Sequence, residues 1–285
     1  MNFLCIGAQK AGTSWLWANL RQHPHIWLPP LKELHYFDRP DDGLWERFTH
    51  PRTAYRDARR ELVRGTLGLR WLGEGAGEVR WYARYLLGRR GDAWYRSLFA
   101  PAAGRTTGEI TPRYSVLPDT AVAHAARALP EARIVYLIRD PMERAWSNLK
   151  MGADRYGAVE SWNGEDLRER VLRRSGVIAM GRYLENLVRW ERHFPPERIL
   201  VGFFDEIADD PEGLLRRVYR FLGIDDAEHH LPTGLRAPVN PGPPDPIPGN
   251  LRRVLAEIYR DEVAALHERL GSPYTEAWLE AVNAS

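Results

Sequence analysis

The chain has 285 residues, 44% of them hydrophobic and 11% aromatic, enough apolar material for a large core and too much for a disordered chain. Its 40 basic and 38 acidic side chains leave a formal charge of +2, which excludes the global positive field of a nucleic-acid binder, so any anion site must be local. The single cysteine, Cys5, excludes an intrachain disulfide and a cysteine zinc cluster, and fits a buried apolar residue in a reducing compartment.

Met1-Asn2 leads straight into Phe3-Leu4-Cys5-Ile6, without the basic and apolar regions of a signal peptide. No apolar run reaches the roughly 18 to 20 residues of a membrane helix, so a cytoplasmic protein without a membrane span is expected. Short apolar runs suited to buried parallel strands alternate with segments of helical period, which predicts an α/β fold with a mostly parallel central sheet flanked by helices. In chain order the predicted strands are Phe3 to Gly7, His25 to Leu28, Thr106 to Glu109, Arg133 to Ile138 and Ile199 to Phe204. The predicted helices are Thr13 to Gln22, Asp92 to Phe99, Asp119 to Leu129, Met142 to Lys150, Arg182 to His193, Pro211 to Leu222 and Gly249 to Leu270. A single domain over 1–285 is expected, with two interruptions: an arginine-rich, aromatic insertion at about 52–90 lying over the sheet's ligand edge, and a proline-rich loop at about 232–248.

The first anion-binding candidate follows the first strand. Gly7-Ala8-Gln9-Lys10-Ala11-Gly12-Thr13-Ser14 reads as a small-residue loop opening a helix, where free N–H groups and the helix dipole favour a phosphate. Gly7 and Gly12 have the spacing of an ATP-binding loop, yet Thr13 stands where that loop has lysine, and the ammonium is inside the loop at Lys10. Only Lys10, Lys32 and Lys150 are lysines among the 40 basic residues, so a retained ammonium at Lys10 is informative. The second candidate is the strand end Arg139-Asp140-Pro141. Pro141 suits a first helical position, and Arg139 with Ser147, about two turns along that helix, can converge on one phosphate. Asp140 beside Arg139 reads as half of a structural ion pair.

With these two sites in place the chain resembles the sulfotransferases that use 3′-phosphoadenosine 5′-phosphosulfate (PAPS), especially the branch holding heparan sulfate sulfotransferases and bacterial relatives. The loop Lys10, Ala11, Gly12, Thr13 and Ser14 resembles the family's 5′-phosphosulfate loop, making the domain P-loop-like. Glu33-Leu34-His35-Tyr36-Phe37-Asp38 resembles the segment supplying the catalytic base, Gly108-Glu109-Ile110-Thr111-Pro112-Arg113-Tyr114 a strand-end motif at the acceptor side, and Arg133 to Pro141 with Glu143, Arg144 and Ser147 the 3′-phosphate site. The resemblance implies transfer of a sulfuryl group to an acceptor hydroxyl or amine, leaving adenosine 3′,5′-bisphosphate (PAP), with Glu33 as base and Lys10 on the departing oxygen. Glu33 is then expected to be partly desolvated by Leu34, Tyr36 and Phe37, bringing its pKa toward that task. In an extended segment His35 shares its face and orients Glu33, binds acceptor or is itself the base. Against these roles stand a solvated Glu33 paired with Lys32 and a core histidine at His35.

Two departures from the heparan-type pattern are visible. Ile110 stands where those members often have lysine, and Pro248-Gly249-Asn250 where they carry a basic Lys-Gly-Arg motif, leaving Arg252 or Arg253 as substitutes. Arg56, Arg59, Arg60 and Arg64 share one face of a possible helix and read as solvated; Trp71, Trp81, Tyr82, Tyr85, Trp94 and Tyr95 divide between core and a cleft. The acceptor, a glycan, lipid head group or small molecule, is not specified by the residues. His23 and His25 bracket a proline and His229-His230 lies in a polar turn, each pair without a third partner at ligand spacing, so no metal is expected. The alternatives are a P-loop nucleotide kinase using ATP and magnesium, which has no need of Arg139 with Ser147, and a non-catalytic nucleotide-binding protein, which has no need of Glu33 with Lys10.

Overall fold

The computed structural model describes residues 1–38, 53–67, 76–151, 167–239 and 245–285. Five apolar runs form its sheet: β1 (Phe3–Gly7), β2 (Ile26–Trp27), β3 (Thr106–Ile110), β4 (Arg133–Ile138) and β5 (Ile199–Phe203). They are ordered β2-β3-β1-β4-β5 and every pairing is parallel. All of β1 is buried, and all of β4 after Arg133, as a sheet covered on both faces requires; that is why these strands read as unbroken apolar runs. The carbonyl ends of β1 and β4 lie side by side, and the chain leaves them toward opposite edges of the sheet. Such a switch point is where open parallel sheets form a ligand crevice.

The helices in chain order are α1 (Thr13–Leu20), α2 (Thr53–Leu67), α3 (Ala76–Leu87), α4 (Asp92–Ser97), α5 (Asp119–Ala128), α6 (Pro141–Met151), α7 (Leu167–Leu172), α8 (Ser175–Ala179), α9 (Tyr183–Glu191), α10 (Glu206–Asp209), α11 (Pro211–Leu222), α12 (Gly249–Leu270) and α13 (Pro273–Asn283). The five strands and seven helices expected from sequence are present, with ends displaced by a few residues. Helices α2 and α3 lie within the insertion; Arg52, Trp71, Gly73 and Gly75 lie outside the described residues. The aromatic residues here are core: Trp81 and Tyr85 of α3 and Tyr95 of α4 are at most 2% exposed, and Trp81 stacks on Tyr85 at 5.5 Å. Arg56, Arg60 and Arg64 are exposed and Arg59 half-buried, and Arg64 pairs with Glu61 of its own helix at 3.0 Å.

Both sides of the proline-rich loop are tied to helices that leave the switch point. The Trp15 indole of α1 donates to Leu235 O at 2.8 Å, and the Trp146 indole of α6 to Asp245 O at 2.9 Å; residues 240–244 between them lie outside the described residues. Cys5 is fully buried in β1, and burial pushes its thiol up to about 12, which makes it an inert apolar residue. Among the described residues no helix is long and apolar enough to cross a membrane.

Candidate active site

The loop after β1 turns into α1 through Gly12, whose φ of 85° would strain any residue with a Cβ and which packs beside Ile207. The buried Thr13 and half-buried Ser14 open the helix, so hydroxyls and free N–H groups lie together there. Lys10 has a left-handed backbone, φ 72°, with its carbonyl accepting from Arg139 Nη1 at 3.4 Å. Burial first, then the cations of Arg139 and Lys150, push its ammonium below the ordinary lysine range. Three cations converge here, Arg139 and Lys150 each beside a carboxylate at 3.8 and 3.7 Å, as at a place that could receive a polyanion.

Arg139 leaves β4 with its guanidinium 4.4 Å from the Phe204 ring centroid and 3.8 Å from the Glu143 carboxylate. Arg252 of α12 approaches the other Glu143 oxygen at 3.3 Å, which brings it, and not the exposed Arg253, to the Arg139 cluster. Ser147 follows Glu143 by one turn on the same half-exposed face of α6. The expected Asp140–Arg139 ion pair is not what the structure places there. Asp140 Oδ1 accepts from the N–H groups of Met142 and Glu143 at 2.7 and 3.2 Å, as a helix cap does; burial outweighs these bonds and raises its carboxyl to about 6. Arg144 is fully buried and donates to Val177 O, which removes it from the anion-facing group.

The segment after β2 carries the third part of the site. Glu33 and His35 are left-handed, with φ of 69° and 55°, so the extended geometry expected from sequence is replaced by two kinks. Even so, His35 Nε2 lies 3.5 Å from Glu33 Oε2, and Nδ1 2.8 Å from Asp38 Oδ2. The kinks are held from outside: Arg90 Nη2 donates to His35 O at 2.8 Å, Tyr85 Oη to Leu34 O at 3.4 Å, and Tyr114 Oη accepts from Tyr36 N at 2.8 Å. Among the described residues only Lys10, Glu33, His35 and Ala103 combine a side chain with positive φ. Such backbone costs on the order of 1 to 3 kcal/mol per residue and concentrates at functional sites.

Lys32 joins this segment to the anion loop. Its ammonium lies 3.1 Å from Glu33 Oε1, 3.4 Å from Thr13 Oγ1 and 3.5 Å from Ser14 Oγ. The expected Glu33–Lys32 pair therefore exists, but at the loop and not in bulk solvent, with the Glu33 side chain 33% exposed. Burial works to raise the Glu33 carboxyl, but hydrogen bonds and charge from His35 and Lys32 outweigh it and hold the group at about 2. The expected upward tuning by apolar neighbours is reversed in this state.

Phe37 and Asp38 also line a cavity of about 400 Å³ with Arg113, Leu117, Ala121 and His124. The sequence pairs Lys32 with Glu33 only as a solvated surface pair and does not announce the contacts of Asp38 and Arg90; the available signal is that Lys32 and Lys150 remain lysine in an arginine-rich chain.

A parallel sheet whose switch point carries a glycine-containing helix start and a strand-end arginine defines a P-loop-like α/β protein. The chain belongs to the sulfotransferase family, whose model matches residues 3–228. It is 31% identical over 140 residues to the mouse heparan sulfate glucosamine 3-O-sulfotransferase 3B1, a match covering 47% of this chain and 36% of that protein. The human bifunctional heparan sulfate N-deacetylase/N-sulfotransferase 3 is 23% identical over 236 residues, covering 78% of this chain and 22% of that protein. The chain thus spans well under half the length of these curated relatives. The crystal structure of a sulfotransferase from Alicyclobacillus acidocaldarius superposes with a TM-score of 0.62 at 26% identity, covering 97% of this chain and 98% of that one.

Proposed function

We propose that this chain transfers the sulfuryl group of PAPS to a hydroxyl or amine, with Glu33 as general base. The observation that carries the reading is the position of Lys32, which reaches Glu33 and both hydroxyls at the start of α1 and so sets a carboxylate beside an anion loop. Family membership supports PAPS as donor substrate. Lys10 and the start of α1 suit its 5′-phosphosulfate, and Arg139 with Ser147 its 3′-phosphate. PAPS supplies sulfur already activated by a phosphate leaving group.

The acceptor oxygen or nitrogen forms its bond to sulfur as the bond from sulfur to the phosphate oxygen breaks; the acceptor proton passes to Glu33, and PAP departs with its new negative charge beside Lys10. Glu33 at about 2 is a weak base while Lys32 and His35 neutralise it. An arriving sulfonate competes for Lys32, and release of that ammonium raises Glu33 toward the ordinary carboxylate range. His35, held between Glu33 and Asp38, is then the positioning residue. No step requires a metal, because ammonium, guanidinium and helix N–H groups suffice to hold the transferring oxygens.

The cavity beside Asp38 is the proposed acceptor entrance. Its size suits a sugar ring, lipid head group or small hydroxylated molecule, and the names of the heparan sulfate relatives favour a glycan. Buried Ile110, where a lysine is common in those enzymes, argues for a less anionic acceptor. Glu33→Gln tests the assignment: PAP affinity should stay within about twofold, while PAP release from PAPS over a panel of hydroxylated acceptors falls by roughly two to four decades. Unchanged turnover would remove Glu33 from the role.

A further inference from the structure

Two histidine pairs far apart in sequence meet at the amino ends of the strands, opposite the carboxyl ends that carry Lys10 and Arg139. His23 and His25 immediately precede β2, while Asp225, His229 and His230 follow α11. Ring centroids lie 4.6 Å apart for His23–His230, 5.5 Å for His25–His230 and 4.0 Å for His229–His230. Asp225 Oδ2 is 3.4 Å from His230 Nε2. The potential ligand atoms of His23, His25 and His230 lie within 4.8 Å of one another, and so do those of Asp225, His229 and His230.

The histidines divide into one ring with both nitrogens hydrogen-bonded and three more accessible ones. His23 is buried, its Nδ1 accepts from His25 N at 3.1 Å, and its Nε2 consequently donates to Asp225 O at 2.9 Å. Both ring nitrogens are engaged, so His23 is the pillar that holds the two segments together. Burial lowers the pKa of this ring, against the opposing Asp225 carbonyl bond. His25 and His229 are exposed, and His230 is half-buried among the other rings with its Nε2 facing Asp225.

We propose that Asp225, His229 and His230 form a binding site for one zinc-class divalent cation, which His25 joins through its proximity to His230, clamping the approach to β2 onto the turn after α11. Three imidazoles and a carboxylate match the ligand preference of zinc or nickel, whose bonds to such ligands are about 2.0 to 2.2 Å. The clamp would join segments about 200 residues apart, as the His23–Asp225 bond already does, and brace a strand with only two paired residues. It touches neither Lys10, Glu33 nor Arg139, so it stands or falls independently of the proposed reaction.

The test uses the untagged full chain, stripped with EDTA, titrated calorimetrically with zinc chloride, nickel chloride and magnesium chloride. The expected result is one equivalent of zinc or nickel bound with Kd on the order of micromolar, a melting temperature raised by a few degrees at excess zinc, no response to magnesium, and unchanged PAP affinity. His25→Ala and His229→Ala remove exposed side chains and should keep the fold by circular dichroism while weakening zinc at least about tenfold each. Zinc binding weaker than about millimolar, equal response to magnesium, or undiminished zinc affinity in the double variant would overturn the proposal.

Discussion

Replacing Glu109 by glutamine should stabilise the protein, and by more at alkaline than at acid pH. Glu109 lies in β3, 2% exposed, and accepts from Tyr95 Oη at 2.7 Å and Thr111 Oγ1 at 3.4 Å. Burial lifts its carboxyl from the ordinary 4.5 to about 7, against the hydrogen bonds of Tyr95 and Tyr114. Because the folded pKa is the higher one, the stability contribution is complete below pH 4.5 and is lost as pH rises toward and through 7. A shift of about 2.5 units at 1.36 kcal/mol each gives a cost on the order of 3 kcal/mol at pH 8 and only about 1 kcal/mol at pH 5. Glutamine keeps an acceptor for Tyr95 and carries no charge. With a melting entropy of roughly 2.1 cal/mol/K per residue, 3 kcal/mol corresponds to about 5 °C in a chain of this length. Scanning calorimetry of both proteins at pH 5 and pH 8 should show a gain several degrees larger at pH 8. Equal shifts at the two pH values, or a loss at pH 8, would refute the reasoning that an ionisable carboxyl is trapped in β3.

Lys32→Met removes the ammonium 3.1 Å from Glu33; the acid limb of the kcat/KM profile should move to higher pH as Glu33 rises from about 2, and affinity for PAPS should fall by about tenfold or more while PAP affinity holds, since only PAPS carries the sulfonate. An unmoved acid limb would separate Lys32 from the base. Arg139→Ala should weaken PAP by about 1.5 to 3 kcal/mol, the worth of a hydrogen bond to a charged group, with adenosine 5′-phosphosulfate much less affected in parallel titrations; equal losses would sink the 3′-phosphate contact.

The apolar strands were legible because β1 and β4 are buried on both faces and read as unbroken runs. Helices α2 and α3 were less so: Gly73, Gly75 and Gly77 suggested interruptions, yet Gly77 lies within the first turn of α3. Their buried aromatic face and Arg90 support the Glu33 segment through contacts that no local pattern announces. Lys10, Glu33 and Arg139 could be named from loop and strand-end chemistry, but their state could not. Positive φ is uncommon for lysine and glutamate, and histidine adopts it only somewhat more readily; the left-handed turns at Glu33 and His35 are braced by Arg90, Tyr85 and Tyr114. The same blindness to distant partners made an apolar sequence context suggest a raised Glu33 pKa, whereas Lys32 and His35 lower it. His23-Pro24-His25 and His229-His230 showed no ligand set in sequence for the same reason: β2 and the turn after α11 meet only in the fold.

Calorimetric titration of the chain with PAP and, separately, with ATP and magnesium tests the central claim most directly. Tight binding of PAP and little response to ATP are expected, because Arg139 and Ser147 are assigned to a 3′-phosphate that ATP lacks; preference for ATP, or no binding of either nucleotide, would contradict that assignment.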